Sequence, residues 1–117
     1  MAAPAFRAPK GTRDILAPES TRRRALVEAF ASLASRHGFS EVVSPIFEDL
    51  GVFQRIGEAT DVVSKEMFDF FDKGDPPQHL ALRPELTASV CRAYAEHRPT
   101  PPWKVWYEGP QFRYEQP

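Results

Sequence analysis

The spacing of hydrophobic residues predicts a long amphipathic helix near the start of the chain. From about Pro18 to Arg36, apolar side chains recur three and four positions apart, as on one face of a helix. The residues of this face are Leu26, Val27, Phe30, Leu33 and Ala34. Pro18 suits the first helical position, because the N–H that it lacks would be unpaired there. Gly38 suits the left-handed position that ends many helices.

Shorter segments follow this helix. Residues 39–48 contain β-branched and aromatic side chains, which favour a strand. Pro45 places that strand at a sheet edge or a bulge, because proline has no N–H to donate. Residues 49–57 predict a short helix that presents Leu50, Phe53 and Ile56.

The middle of the chain predicts a β-hairpin. A strand over residues 67–72 and its partner over 79–82 flank Lys73-Gly74-Asp75-Pro76-Pro77, which is a strong turn signal. The remaining predicted elements are a helix over residues 85–97, a strand over 103–108 and an extended segment over 111–115. The inward residues of that helix are predicted to be Val90, Cys91, Ala93 and Tyr94. Since no regular strand–helix–strand rhythm is present, the order favours an α+β fold with an antiparallel sheet.

Composition and charge narrow the class of protein. Hydrophobic residues make up 42% of the chain and charged residues 26%, as in ordinary globular domains. The net charge of −1 argues against a basic module that grips nucleic acid over its whole surface. Cys91 is the single cysteine, so the chain fits a reducing compartment such as the cytosol. No apolar run approaches the roughly 20 residues that cross a bilayer, and no membrane partner is expected.

A carboxylate and a hydroxyl lie two residues apart where the second long helix is predicted to start. Glu85 can receive a ligand ammonium group, and Thr87 can add a hydrogen bond. The alternative is helix capping, in which the carboxylate of Glu85 binds free backbone N–H groups at the positive end of the helix dipole. The local sequence leaves both interpretations open and favours capping.

The last extended segment contains an arginine with two possible roles. Alternation along a strand would place Arg113 on one side with Glu115, and Phe112 and Tyr114 on the other. Arg113 can offer a planar fork of N–H donors to a phosphate or a carboxylate. The alternative is a cross-strand Arg–Glu pair on a wet sheet face, which alone contributes little stability. The residues themselves support the two interpretations about equally.

The other polar residues predict no further site. His37, His79 and His97 follow no metal-ligand spacing. Cys91 is predicted to be a buried helix residue and not a nucleophile, and residues 60–67 are predicted to form a solvated loop. No Gly-rich phosphate loop of the Walker or Rossmann type is present.

Six segments, in this order and spacing, resemble histidyl-tRNA synthetases. They are Lys10-Gly11-Thr12-Arg13-Asp14, Arg36-His37-Gly38-Phe39, Ser44-Pro45-Ile46-Phe47-Glu48, Thr60-Asp61-Val62-Val63-Ser64-Lys65-Glu66-Met67, Leu82-Arg83-Pro84-Glu85 and Gly109-Pro110-Gln111-Phe112-Arg113-Tyr114-Glu115. Each segment alone is weak, whereas the set is highly specific and covers nearly the whole chain from about Lys10.

The resemblance implies part of a class II aminoacyl-tRNA synthetase catalytic domain, an antiparallel sheet flanked by helices. Motif 1, which builds the homodimer interface in that family, corresponds to residues 18–48, with Pro45 as its marker. Motif 2 begins at about residues 103–117. We therefore expect a flexible arm over residues 1–9, followed by the N-terminal portion of the catalytic domain over 10–117.

The resemblance also implies an activity. The family activates histidine with ATP in the cytoplasm and transfers it to tRNA(His). Arg113 would bind the α-phosphate of ATP and help hold the histidine carboxylate, and Glu115 would lie by the adenine. Glu85 would receive the α-ammonium of histidine, with Thr87 nearby. Magnesium is expected to accompany the polyphosphate, and no residue of this chain is assigned as a metal ligand.

The sequence departs from the family pattern at two points. Leu86 stands where many members have glycine, which changes the local shape of the pocket. The family pattern continues well beyond motif 2, so we expect this chain alone to be catalytically inactive. Two other functions remain open: the regulatory, synthetase-like subunit of ATP phosphoribosyltransferase, and a module for dimerisation only. The intact segments at residues 10–14 and 112–115 favour the synthetase.

Overall fold

The first of two compact units, which ends at Gly38, contains one long helix. The computed structural model describes residues 2–57 and 65–115. Helix α1 spans Glu19–Arg36, which confirms the predicted helix. Pro18 occupies the N-cap position, one residue before the place predicted for it. Gly38 has a φ of 82°, the left-handed conformation expected after the end of the helix.

The apolar face of α1 is exposed. Leu26 is 72% exposed, Phe30 52% and Leu33 49%, and no residue of the helix is buried. The predicted apolar face is therefore present in α1, and these three side chains of it are not covered within this chain. Helical spacing identifies an apolar face, but it does not say which molecule covers that face. Among the described helices, none is both long enough and apolar enough to span a membrane.

The second unit, which begins at Phe39, is built on two small sheets. Its described elements are β1 (Ser40–Glu41), β2 (Phe47–Asp49), α2 (Leu50–Gly57), β3 (Asp69–Phe71), β4 (His79–Leu82), α3 (Thr87–His97) and β5 (Val105–Trp106). Strand β4 is the centre of an antiparallel sheet of order β2-β4-β3, and β1 pairs with β5 in parallel. The α+β class and the antiparallel sheet are confirmed. The parallel pair was not predicted, because its two strands lie far apart in sequence.

The strands are shorter than the sequence predicts. The single strand expected over residues 39–48 is two strands, since residues 42–46 have no regular structure. Pro45, which cannot donate to a sheet, lies inside this interruption. The strand expected over 103–108 is reduced to Val105–Trp106. Residues 111–115 form no assigned strand, although two of their backbone N–H groups bind other segments.

The β3–β4 hairpin forms as predicted. Asp69 lies opposite Ala81, and Phe71 lies opposite His79. Within the turn, Oδ1 of Asp72 accepts hydrogen bonds from the backbone N–H groups of Gly74 at 3.0 Å and Gln78 at 2.7 Å. The bond from Gln78, followed by that from Gly74, lowers the pKa of the Asp72 carboxyl.

The core of this unit lies between the antiparallel sheet and helices α2 and α3. Phe53 is 2% exposed, and Ala81 and Ala88 are fully buried. The inward face of α3 consists of Ala88, Ser89 and Ala93. Small side chains let the helix approach the sheet closely. Of the residues predicted to turn inward, Ala93 is buried and Val90 is half-buried, whereas Tyr94 is exposed. Cys91 is exposed, so the prediction of a buried cysteine is wrong.

Candidate functional site

The carboxylate of Glu85 caps helix α3. Its Oε2 accepts a hydrogen bond from the backbone N–H of Thr87 at 2.6 Å, and its Oε1 accepts one from Ala88 at 3.0 Å. Leu86, at the N-cap position, contributes no side-chain cap. The capping interpretation of Glu85 is therefore observed. The same two bonds fix the carboxylate at the positive end of the helix dipole.

Thr87 connects α3 to the segment that follows β5. Its hydroxyl lies 3.3 Å from the hydroxyl of Tyr107, and either group can donate. Thr87 is exposed, and Tyr107 is partly buried. Tyr107 lies in the strand predicted over residues 103–108, where the sequence favoured a core position over a place in a pocket.

The guanidinium of Arg113 reaches the residue that precedes Glu85. Its Nε donates a hydrogen bond of 2.8 Å to the carbonyl oxygen of Pro84. Its Nη1 lies 3.8 Å from Oε1 of Glu115, which is longer than a hydrogen bond. The side chain of Arg113 is 37% exposed and that of Glu115 is 66% exposed. This loose contact lies within one segment and is not the cross-strand pair predicted as the alternative, and the arginine retains an open side.

Backbone hydrogen bonds hold the segment around Arg113 in place. The N–H of Phe112 donates to the carbonyl of Arg83 at 2.9 Å, and that of Tyr114 donates to the carbonyl of Glu66 at 2.6 Å. The ring of Tyr114 packs edge-on against Phe68, with centroids 6.0 Å apart. This arrangement agrees with the predicted alternation, in which Arg113 and Glu115 share a side.

An ion pair fastens α3 to the sheet. Glu48, on β2, is 7% exposed. Its two carboxylate oxygens accept hydrogen bonds from Nε and Nη2 of Arg92, each at 2.9 Å. Arg92 also donates to the exposed Glu96 at 2.6 Å. The bond to Glu48 is the largest of the effects that raise the pKa of Arg92. This pair positions the helix that begins beside Glu85, and sequence reasoning missed it because its members lie on distant elements.

Pro45 has no hydrogen bond to Glu85, Thr87 or Arg113 among those observed in the described residues. It is exposed and borders a shallow groove whose walls also include Val43, Ala93, His97 and Trp103. The segment 60–67, which contributes to the resemblance, lies mostly outside the described residues. Within the part of the chain that the structure describes, no group of three or more His, Cys, Asp or Glu residues is placed to hold a metal ion.

Comparisons with known proteins agree on one family. The sequence model of histidyl-tRNA synthetase matches residues 11–117. A histidine–tRNA ligase from Acinetobacter baumannii (strain ATCC 17978) is 49% identical over an alignment of 113 positions, which covers 92% of this chain and 26% of the relative. The chain therefore spans about a quarter of that relative's length.

Solved structures give the same result. Apo histidyl-tRNA synthetase from S. aureus matches with a TM-score of 0.78 and 37% identity, over 93% of this chain and 30% of that one. An ATP phosphoribosyltransferase regulatory subunit/histidyl-tRNA synthetase from Bacillus halodurans C matches with a TM-score of 0.79 over 98% of this chain and 30% of that one. Its identity of 20% shows a shared fold only. From the family match over residues 11–117 and the 49% identity to a curated member, this chain belongs to the histidyl-tRNA synthetase family.

Proposed function

We propose that this chain is the N-terminal part of the catalytic domain of a cytoplasmic histidine–tRNA ligase. In this proposal residues 1–9 are an arm and residues 10–117 belong to the domain, with motif 1 at about 18–48. The complete protein activates histidine with ATP and transfers the histidyl group to tRNA(His). Family membership supports the proposal. Because the chain spans about a quarter of the length of the relative described above, it corresponds to one part of the catalytic domain.

One observation supports the site most directly. The Nε of Arg113 donates to the carbonyl of Pro84, the residue next to Glu85. A cationic fork and a carboxylate are thus anchored on neighbouring backbone, although they are far apart in sequence. An amino acid carries the opposite charges, a carboxylate and an ammonium, on adjacent carbon atoms. The pair therefore suits recognition of the common part of an amino acid.

Capping by Glu85 is compatible with binding of the α-ammonium of histidine. An ionised carboxylate has about four acceptor sites on its two oxygens. The N–H groups of Thr87 and Ala88 use two of them, which leaves sites for a ligand N–H. The cap also orients the carboxylate before the ligand arrives, so less rotamer freedom is lost on binding. The hydroxyl of Thr87 lies close enough to join the same recognition.

Arg113 acts on the reacting groups in this proposal. The histidine carboxylate attacks the α-phosphorus of ATP, and pyrophosphate leaves. Since two anions must meet, a fixed guanidinium reduces their repulsion and stabilises the charge of the transition state. The hydrogen bond to Pro84 fixes the guanidinium through Nε and leaves the Nη groups for the substrates. Glu115, on the same side of the segment, lies by the adenine.

Magnesium remains an expectation that accompanies the polyphosphate of ATP. Among the described residues, no group of three or more His, Cys, Asp or Glu side chains is placed to hold a metal ion, whereas magnesium on a nucleotide commonly uses only one or two protein carboxylates. No step of the proposed mechanism is assigned to a metal ion held by this chain.

Homodimerisation through motif 1 is the second part of the proposal. Leu26 and Leu33 expose large apolar surfaces on α1, and surfaces of this kind often mark protein interfaces. Pro45, the marker of motif 1, is also exposed. A function limited to dimerisation uses the same helix, and the catalytic assay below separates the two. The regulatory subunit of ATP phosphoribosyltransferase has fold similarity alone in its favour.

Histidine-dependent ATP–pyrophosphate exchange in the full-length protein tests the proposal. We expect Arg113→Ala to lower the exchange rate by about 100-fold or more, the usual cost of a lost transition-state donor. Arg7→Ala removes an exposed arginine from the arm and is the matched control, expected to be neutral. Absence of exchange in the wild-type protein, or full exchange in Arg113→Ala, would contradict the proposal.

A further inference from the structure

We infer that Arg83 is a positioning residue that sets the geometry between Glu85 and Arg113. The inference rests on the proposed function, because it assigns to Arg83 the alignment of that same site. Arg83 is only 5% exposed. The next two residues of the chain are Pro84 and Glu85, which belong to the proposed site. Sequence reasoning gave it no role, since a lone arginine before a proline shows neither burial nor partners.

The side chain of Arg83 joins three segments of the second unit. Its Nε donates to the carbonyl of Pro110 at 2.9 Å. Its Nη1 donates to the carbonyl of Ser44 at 3.1 Å and lies 3.4 Å from that of Pro45. One guanidinium therefore ties the segment before β2 and the segment before Arg113 to the entry of α3.

The backbone of Arg83 repeats these connections. Its N–H donates to the carbonyl of Ile46 at 3.0 Å, and its carbonyl accepts from the N–H of Phe112 at 2.9 Å. Phe112 immediately precedes Arg113, and Glu85 follows Arg83 by two residues. A shift of the Arg83 side chain thus acts on both proposed substrate-binding residues through very short stretches of chain.

The partners of this buried guanidinium are carbonyl oxygens. Five N–H donors in a fixed plane suit several carbonyls at once, which a lysine ammonium on a flexible stem cannot match. Gly109 belongs to the same arrangement. A Cβ at position 109 would lie 2.5 Å from Nη2 of Arg83, and the φ of 155° is strained for any larger residue. A substitution at this position therefore displaces the guanidinium, the backbone or both. The clamp can therefore be disturbed from either side of the contact.

The test uses ATP–pyrophosphate exchange by the full-length protein, at saturating histidine and ATP and well below the melting temperature. Arg83→Lys is expected to lower kcat by about 10- to 100-fold, since displacements of about 1 Å cost on this order. The KM for histidine should change much less, because Arg83 contacts no substrate in the proposed site. Gly109→Ala should show the same pattern. The loss in the double variant should be smaller than the product of the two single losses, because both changes disturb one contact.

Phe53→Leu is the matched control for stability. It alters a core side chain that is 2% exposed and makes none of the Arg83 contacts. Its kcat should stay within about threefold of wild type at the same temperature. A kcat for Arg83→Lys and Gly109→Ala that matches Phe53→Leu would overturn the inference, as would multiplicative losses in the double variant. If Arg83→Lys does not fold, Gly109→Ala is judged by the same comparison. A wild-type protein without exchange would instead remove the proposed function on which the inference rests.

Discussion

Removing Arg92 should leave a buried carboxylate without its partner. The side chain of Glu48 is 6% exposed. In Arg92→Met it loses two hydrogen bonds of 2.9 Å. Loss of one member of a buried pair costs about 3–5 kcal/mol. Because the side chain of Arg92 is 27% exposed, water can enter, and we expect about 2–4 kcal/mol. With a slope of about 2 kcal/mol per molar urea, the midpoint should fall by about 1–2 M.

Urea unfolding of the 117-residue chain, followed by far-UV circular dichroism, measures this change. Glu96→Gln removes the exposed partner of Arg92 and should cost only about 0–1 kcal/mol. The double variant Glu48→Met with Arg92→Met should be more stable than Arg92→Met alone, because no unpaired charge is then buried. If Arg92→Met and Glu96→Gln shift the midpoint equally, the buried pair does not stabilise the junction of β2 and α3 as argued.

Two further predictions concern the hairpin and the helix of the first unit. The pKa of Asp72 is lowered by the N–H bonds of Gln78 and Gly74, so its contribution to stability is present above the unfolded pKa and is lost as pH falls through the folded one. Carbon-detected NMR titration of the Asp72 carboxyl should show the lowered pKa, and a carboxyl that titrates at its ordinary pKa would contradict the assignment. Asp72→Asn should abolish this part of the pH dependence of stability. Leu26→Lys places a charge on the exposed face of α1 and should convert a homodimer of the full-length protein to monomers in analytical ultracentrifugation. Arg7→Lys is the control and should leave the dimer intact. An unchanged dimer in Leu26→Lys would place the interface elsewhere.

Some positions of the proposed site residues could be predicted from nearby residues in the sequence, and others depend on contacts between distant segments. The sequence predicted that Glu85 lies at the start of a helix and that Arg113 and Glu115 share one side of an extended segment. Both predictions depend on near neighbours in the chain, through helix capping and strand alternation. It offered capping and ligand binding as alternatives for Glu85, and the observed cap leaves acceptor sites for the second role. The proximity of Arg113 to Pro84, and the whole set of contacts around Arg83, needed the fold.

The order of six short segments along the chain identified the family. Local interactions also let the sequence alone determine helix α1, the left-handed Gly38 and the β3–β4 hairpin. Each depends on residues a few positions apart, through helical spacing, turn hydrogen bonds or strand alternation. Only the tertiary structure decided which helix faces are covered, the parallel pairing of β1 with β5, and the partners of the buried Arg83 and Glu48. These features depend on distant segments meeting, and a buried charge gains its partners only after that meeting has occurred.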